Sequence, residues 1–223
     1  MWCIPPEQNA AFVCAMENVL EVYKRPYDPQ RPVVCFDEGS KQLVRDIQAP
    51  LPCSPGQPRR YDYEYERNGV ANLFMVCEPL RGWRTVKVTD RKTRTDWAFQ
   101  IRDLVDVHYP AAQRITLVMD NYCTHTLCSL YEAFVPEEAR RLMEKIDPVY
   151  TPKHGSWLNV AEIELSALSR QCTEGRVPNL PTLRELVSAW AEDRSNRAMK
   201  IDWQFTTTDA RIKLRRLYPK IIE

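Results

Sequence analysis

The chain has 223 residues, of which 44% are hydrophobic and 27% charged, a composition typical of a soluble globular protein with one domain and an appended element, or with two small domains. The net charge of +1 argues against a protein that simply coats DNA. No apolar run approaches the roughly 18 residues of a membrane span, and the N-terminus lacks the basic and apolar regions of a secretory signal. We therefore expect a cytoplasmic protein with no membrane partner.

The N-terminal part is predicted to form a helix, a linker and a strand. Pro5 and Pro6 precede apolar residues at helical spacing, which predicts a helix over residues 7–24. Three prolines between residues 26 and 32 then form a short rigid linker. The apolar run VVCFD at 33–37 is typical of a buried strand that ends on a carboxylate.

A proline-rich loop at 49–60 follows this strand. Asn68-Gly69 predicts a hairpin turn, and a second turn is predicted at Arg81-Gly82. The other predicted elements are strands at 70–78, 83–89, 115–120 and 149–152 and helices at 94–108, 126–145, 157–172, 181–199 and 207–217. A meander followed by alternating strands and helices predicts an α/β fold, a mixed sheet with helices on its faces.

The cysteines and the charged segments indicate little about function by themselves. Eight cysteines and three histidines without a C-x-x-C pair do not favour a structural zinc site. Cys35 and Cys77 lie in apolar runs, which predicts reduced thiols that pack in the core. Residues 81–94 carry six basic residues against one acid, and residues 197–220 carry seven against two. These segments can contact DNA phosphates, although solvated surface charge is the plainer interpretation.

Two of the predicted strands end on an aspartate, Asp37 and Asp120. If the strands are neighbours, the two carboxylates lie side by side, and their repulsion raises the pKa of one unless a cation lies between them. Mg²⁺ suits such a place because it prefers oxygen ligands, and a third carboxylate would complete a two-metal site for phosphodiester chemistry. The alternative is that each aspartate only forms a turn or a cap.

The third carboxylate is sought on the predicted helix at 157–172. On a helical wheel, Glu162 and Glu164 flank opposite edges of the apolar face of this helix. Periodicity therefore does not choose between them, and either can be a solvated flanking residue.

Three sequence blocks resemble those of mariner-superfamily transposases, in particular the bacterial insertion-sequence 630 group. The blocks are CFDEGS at 35–40, VMDNYCTHT at 118–126 and YTPKHGSWLNVAEIELSALSR at 150–170. The resemblance implies an RNase H-like fold, in which a three-strand antiparallel meander and two parallel strands form a five-stranded sheet with helices on both faces. It also implies a division into an N-terminal linking helix with a Pro-rich linker at 1–30 and a catalytic DDE domain with C-terminal helices at 31–223.

The resemblance also implies a site and an activity. The third carboxylate of the family lies three residues after an asparagine, which assigns it to Glu162, after Asn159. Asp37, Asp120 and Glu162 would bind two Mg²⁺ or Mn²⁺ ions. The implied activity is DNA cleavage at transposon ends followed by strand transfer into target DNA, commonly at TA, in which one site serves both steps.

Other residues of these blocks are candidates for DNA contact or for support of the carboxylates, and their alternatives are turn, cap and strand-end roles. They are Glu38, Asn121, His125, Lys153, His154 and Asn159. Lys153 and His154 directly precede the helix with the third carboxylate, where phosphate contact is expected. Arg59 and Arg60, after the proline-rich loop, are further candidates for DNA contact.

Members of the family carry helix-turn-helix modules ahead of the catalytic domain, and only about thirty residues precede the first aspartate block here. We therefore expect recognition of transposon ends to need a helix-turn-helix polypeptide encoded by an upstream reading frame. The chain itself is expected to act as a homodimer on DNA in the bacterial nucleoid. One alternative is an inactive remnant that binds DNA or a partner subunit without cutting. Another is a different RNase H-like nuclease that acts on junctions or hybrids.

Overall fold

The computed structural model describes residues 4–5, 7–58, 60 and 62–220. Within these ranges the α-helices are α1 Ala10–Tyr23, α2 Arg94–Asp103, α3 Ser129–Ala133, α4 Pro136–Lys145, α5 Val160–Gln171, α6 Leu180–Asn196 and α7 Thr207–Lys213. The strands are β1 Val33–Asp46, β2 Tyr65–Glu78, β3 Trp83–Thr89, β4 Ile115–Met119 and β5 Ile146–Tyr150. A π-helical turn at Leu104–His108 follows α2, and 3-10 turns lie at Ser156–Leu158 and Arg215–Leu217.

The strands form one sheet in the order β3-β2-β1-β4-β5. β2 pairs antiparallel with β1 and β3, whereas β4 pairs parallel with β1 and β5. The predicted mixed sheet is therefore confirmed, and the two strands that carry the aspartates are neighbours, which is the condition under which the carboxylates were expected to lie side by side. Cys35 of β1 is paired with Val118 of β4, which brings Asp37 and Asp120, each two residues further on, to the same level.

Helices cover both faces of the sheet, as expected. One core contains Cys35 and is covered by α1, α5, α6 and α7, and the other contains Phe36 and is covered by α2, α3 and α4. Side chains alternate between the faces along a strand, so Asp37 shares the face of Cys35 and Glu38 shares the face of Phe36. Two acids adjacent in sequence therefore point to different sides of the sheet.

Polar caps determine where several helices begin. Asn9 caps α1, and Thr93 and Thr206 form capping boxes with Asp96 and Asp209 at the starts of α2 and α7. α4 begins at Pro136, within the predicted helix at 126–145, which the structure divides into α3 and α4.

The predicted hairpin turn at Asn68-Gly69 is wrong. β1 and β2 are each 14 residues long, and β2 runs through both residues. The register shifts between Gln42 and Val44, so that Asn68 and Gly69 together oppose Leu43 in a β-bulge. Gly69 has a φ of +87° there, the left-handed conformation that a hairpin turn of this type also requires. The dipeptide indicates a positive φ, and a bulge uses that conformation as a turn does.

The chain reverses instead in the loop at residues 47–64, which contains the predicted proline-rich segment. Isolated bridges between Leu51 and Arg60 and between Ser54 and Gln57 close this loop. β1 consequently does not end at Asp37, as predicted, but continues past it to Asp46. Arg59 lies outside the described residues.

α1 packs into the same core as β1 and α5, through residues such as Phe12 and Met16. The division of the chain near residue 30 stays a prediction. Cys35 and Cys77 are buried as predicted, whereas Cys14, Cys53, Cys123 and Cys128 are exposed. Among the described residues, no helix combines the length and the apolar character needed to cross a bilayer.

Candidate active site

Asp37 lies on β1 beside the point where β4 ends, and it is 8% exposed. Its Oδ1 accepts a hydrogen bond of 2.7 Å from the backbone N–H of Glu38, and Nδ2 of Asn159 lies 3.4 Å from its Oδ2. Burial and the negative charges of Asp120 and Glu162 raise the pKa of Asp37 to about 7, against the opposing hydrogen bond from Glu38. Asp120 and Glu162, the other two carboxylates predicted from the sequence, are therefore close enough to Asp37 to act on it electrostatically.

Asp120 directly follows β4, and its side chain is 30% exposed. Its Oδ1 accepts a hydrogen bond of 3.1 Å from the backbone N–H of Tyr122 and lies 2.6 Å from Nδ1 of His125. The other ring nitrogen of His125, Nε2, lies 3.1 Å from Oε1 of Glu38. The side chains of His125 and Glu38 are 1% and 3% exposed, so two of these three interacting groups are shielded from solvent.

The two carboxylates determine the protonation of His125. Burial by itself lowers the pKa of this histidine, but its hydrogen bonds with Asp120 and Glu38 outweigh burial and raise the pKa to about 9. Burial likewise raises the pKa of Asp120, and the bond with His125 outweighs it and brings the pKa below its ordinary value. At neutral pH we expect an imidazolium between two carboxylates, with both ring nitrogens donating.

The structure distinguishes the two glutamates of α5 that periodicity left open. Glu164 is fully buried between two arginines: Arg84 Nε lies 2.9 Å from its Oε2, and Arg194 Nη2 donates to its Oε1 at 2.9 Å. Glu162 is half-buried, and its charge is among those that raise the pKa of Asp37. Within the described part of the chain, no side chain hydrogen-bonds or pairs with Glu162. Glu162 is thus available to a ligand, and Glu164 is not.

Asn159 joins α5 to β1. It is fully buried, and its Oδ1 accepts a hydrogen bond of 3.1 Å from Ala161 N–H, which caps α5. Its Nδ2 donates to the carbonyl oxygen of Phe36 at 2.7 Å, next to Asp37. Because Glu162 lies in the first turn of α5, this one side chain determines where that turn lies relative to Asp37.

The remaining predicted residues lie around this centre. The side chain of Asn121 donates to the carbonyl oxygen of Thr151 and so ties the segment after β4 to the segment after β5. Lys153 and His154 are exposed in the turn before α5, and His154 has a φ of +63°. Of the described residues, these two make no hydrogen bond or ion pair with the three carboxylates.

Two residues beside Asp120 were missed as site residues in the sequence. Tyr122 is 42% exposed, and Nζ of Lys92 lies 5.2 Å from the centroid of its ring. Burial raises the pKa of Asp120, and the charge of Lys92 is among the groups that oppose this effect. A signal for Tyr122 existed, because an aspartate in a turn commonly accepts from the backbone N–H two residues later.

The donor set fits a divalent cation in its chemistry. Asp37, Asp120 and Glu162 supply the carboxylate oxygens that Mg²⁺ and Mn²⁺ prefer, and a cation beside Asp37 would stabilise its charged form. Among the residues that the structure describes, no three His, Cys, Asp or Glu side chains are grouped as ligands of one ion. The arrangement is therefore a convergence of negative charges and not a closed coordination shell.

Comparison with known proteins places this geometry in a family. A family model described as a DDE superfamily endonuclease matches residues 32–184, which is more than half of the chain and includes all three carboxylates. The chain belongs to the DDE superfamily of endonucleases. A search of curated proteins by sequence found no significant match to this DDE endonuclease domain.

Solved structures with a similar fold include complexes of the Mos1 mariner transposase. The paired-end complex with Mn has a TM-score of 0.56 at 17% identity and covers 88% of this chain and 61% of that chain. The complex with the left transposon end has a TM-score of 0.58 at 14% identity, covering 88% and 60%. The complex with Mg has a TM-score of 0.56 at 16% identity, covering 98% and 66%.

At these identities the likeness shows the fold, which is the RNase H-like fold expected from the sequence. This chain spans about three fifths of the length of the Mos1 chain in the first of these complexes.

Proposed function

We propose that this DDE domain is the catalytic domain of a mariner-superfamily transposase, resembling those of bacterial insertion-sequence 630 elements, that cleaves transposon ends and joins them to target DNA at TA. The observation that carries the proposal is the placement of the three carboxylates: strand pairing brings Asp37 and Asp120 to the same level, and Asn159 ties the first turn of α5, which contains Glu162, to the carbonyl oxygen next to Asp37. Three carboxylates from β1, the end of β4 and the first turn of α5 act on one place. The match to the DDE endonuclease family over residues 32–184 supports the same conclusion.

The proposed ligands of two Mg²⁺ or Mn²⁺ ions are Asp37, Asp120 and Glu162. When bound, such ions activate the attacking oxygen and stabilise the leaving oxygen of an in-line displacement at phosphorus. The chain holds the carboxylates for this purpose through Asn159, which fixes Glu162 relative to Asp37, and through His125, which holds Asp120. Mos1 complexes crystallised with Mn and with Mg support the use of a divalent ion.

The proposed partners follow from the activity. The Mos1 structures are paired-end and strand-transfer complexes, which supports DNA as the partner. We extend this to a homodimer of the chain on paired DNA ends. Recognition of those ends would come from a separate helix-turn-helix polypeptide, and the assembly would act at the bacterial nucleoid.

The test is nicking of a supercoiled plasmid in the presence of Mn²⁺ or Mg²⁺. Asp37→Asn, Asp120→Asn and Glu162→Gln are each expected to lower the rate by about 10³-fold, because each removes a ligand worth several kcal/mol to the transition state. Glu185→Gln makes the same chemical change at an exposed residue of α6 and is expected to leave the rate unchanged.

The outcomes separate the possible functions. If the carboxylate variants nick as fast as the unaltered chain, the proposed site is wrong. If the folded chain does not nick even when the upstream helix-turn-helix polypeptide is supplied, the result favours an inactive remnant that binds without cutting.

A further inference from the structure

His125 occupies an unusual position for a residue of a DNA-cleaving site. Its side chain is 1% exposed, with one ring nitrogen 2.6 Å from Asp120 Oδ1 and the other 3.1 Å from Glu38 Oε1. Both polar atoms of the ring are therefore engaged within the protein. A phosphate of DNA cannot reach them in this arrangement, so the role of His125 must act through one of its two partners.

The ring of His125 is held in a fixed orientation. It packs against the rings of Phe36 and Trp97, with centroids 5.4 Å and 6.2 Å away, and against Tyr122 at 5.9 Å. The hydroxyl of Tyr150 on β5 donates to its backbone carbonyl oxygen at 2.9 Å. The packed aromatic rings and the hydrogen bond from β5 to the backbone of His125 prevent the imidazole from rotating away from either carboxylate.

Asp120 needs such support more than Asp37 does. Asp37 lies within β1 and is paired with Met75 of β2, whereas Asp120 lies beyond the last residue of β4 in a segment without regular structure. The backbone of such a segment does not by itself define the direction of a side chain. Among the residues that the structure describes, the one further hydrogen bond to the Asp120 carboxylate is the 3.1 Å bond from the N–H of Tyr122, in the same segment.

Glu38 connects this loop to the sheet. Because side chains alternate along β1, Glu38 points to the face on which His125 packs, while Asp37 points to the face of α5. A path of two contacts thus runs from a rigid central strand through the imidazole to the Asp120 carboxylate.

We propose that Glu38 and His125 are a positioning pair, in which Glu38 orients the imidazole and the imidazole holds Asp120 in the direction required for divalent-metal binding. The proposal rests on the proposed function of Asp120 as a metal ligand. Neither residue of the pair touches the ion or the DNA. Partners of this kind, one shell behind a ligand, typically contribute 10-fold to 100-fold to metal affinity or activity.

The first test measures Mn²⁺ binding to the full chain by calorimetry, without DNA and without catalysis. We expect His125→Ala and Glu38→Gln each to weaken Mn²⁺ binding by about 10-fold to 100-fold. The control is Glu78→Gln, the same change at a buried glutamate of β2 that accepts a hydrogen bond from Tyr109. This control is expected to bind Mn²⁺ as the unaltered chain does. Affinities equal to the unaltered chain in both Glu38→Gln and His125→Ala would overturn the proposal.

The second test asks whether Glu38 acts through His125. In a double-mutant cycle, Glu38→Gln is expected to have little further effect on Mn²⁺ affinity once His125 is alanine, because the path is already broken. Fully additive losses would show that Glu38 acts on the ion independently and would contradict the pair. Glu38→Gln is isosteric, so it reports on the pair even if His125→Ala does not fold.

Nicking kinetics provide the third test and separate this inference from the proposed function. The pair is expected to affect turnover and the Mn²⁺ concentration for half-maximal rate, with the KM for DNA unchanged. Asp120→Asn is the reference. If Asp120→Asn has no effect on nicking, the proposed function fails. If Asp120→Asn abolishes nicking while His125→Ala and Glu38→Gln do not alter it, only the positioning pair fails.

Discussion

Two polar clusters of three side chains each lie on opposite faces of the sheet. They differ in the sign of their net charge and in whether solvent reaches them. In the first, which we call the histidine cluster, His125 lies between the carboxylates of Glu38 and Asp120. In the second, which we call the arginine cluster, Glu164 lies between Arg84 and Arg194. Both join elements that are distant in sequence.

The arginine cluster is closed by the protein itself. The remaining nitrogens of Arg84 donate to the carbonyl oxygens of Gly82 and Met199, and Glu164 is fully buried. The histidine cluster is open, because Asp120 is 30% exposed and its charge, with that of Glu162, raises the pKa of Asp37. The difference indicates a structural role for the arginine cluster, whose buried charges are neutralised by protein groups, whereas like charges accumulate near Asp120, where the metal site is proposed.

The largest effect on stability is expected from breaking the arginine cluster. Glu164→Gln removes the one carboxylate that neutralises two buried guanidiniums, and such a loss costs about 3–5 kcal/mol. Glu162→Gln, two residues away on the same helix, is expected to change the free energy of unfolding very little. Urea unfolding of the two variants measures both. Equal losses of stability would contradict the structural role assigned to Glu164 and its two arginines.

A smaller change in stability, of opposite sign, is expected at Asp37. Asp37→Asn should stabilise the metal-free chain by about 1–3 kcal/mol at pH 8, because a buried charge repelled by two carboxylates is removed. The unaltered Asp37 has a pKa raised from its ordinary 3.8 to about 7 in the folded chain. Its folded form therefore holds its proton more tightly than the unfolded form, and stability falls as pH rises from about 3.8 to about 7.

The gain in unfolding free energy of Asp37→Asn over the unaltered chain should accordingly grow as the pH rises across that range and vanish below it. Thermal unfolding in EDTA at several pH values tests this. A variant that is less stable at pH 8 would show that hydrogen bonding to the carboxylate matters more at this position than repulsion.

A moderate loss of stability is expected at Asn159, which links the start of α5 to the strand that carries Asp37. Asn159→Ala removes the cap of α5 and should cost about 1 kcal/mol. Asn159→Asp keeps an oxygen for Ala161 N–H but places a second carboxylate beside Asp37, so it should retain the cap and still impair nicking. If Asn159→Asp nicks normally, the contact with Asp37 has no positioning role.

Much of the fold was predictable because its signals are local and periodic. The apolar runs at 33–37 and 115–120 predicted the buried strands β1 and β4, although their adjacency entered only as a condition. The bulge at Asn68-Gly69 was not predictable in this way, because a positive φ serves a turn or a bulge equally well. Whether the dipeptide forms a turn or a bulge depends on the strand that pairs with it. That strand, β1, extends nine residues beyond Asp37, and no local sequence pattern specifies its register with β2.

The site was predictable only in part. Asp37 and Asp120 followed from matching strands, but Glu162 could not be separated from Glu164 by periodicity, since both flank the apolar face of α5. The separation depends on Arg84 and Arg194, which come from β3 and α6 and are brought together only by the folded chain. For the same reason the sequence indicated Glu38 and His125 separately, but it did not show that they touch.

Because of the contacts of Asn159, the number of residues between Asp120 and Glu162 need not be constant for the carboxylates to stay together. Glu162 is positioned relative to Asp37 through this amide, on the face of the sheet that α5 covers, and not by the length of chain after Asp120. α3 and α4, at residues 129–145, fill much of that interval and pack on the opposite face. Residues added or removed between these helices would change the count from Asp120 to Glu162 while leaving the carboxylates in place.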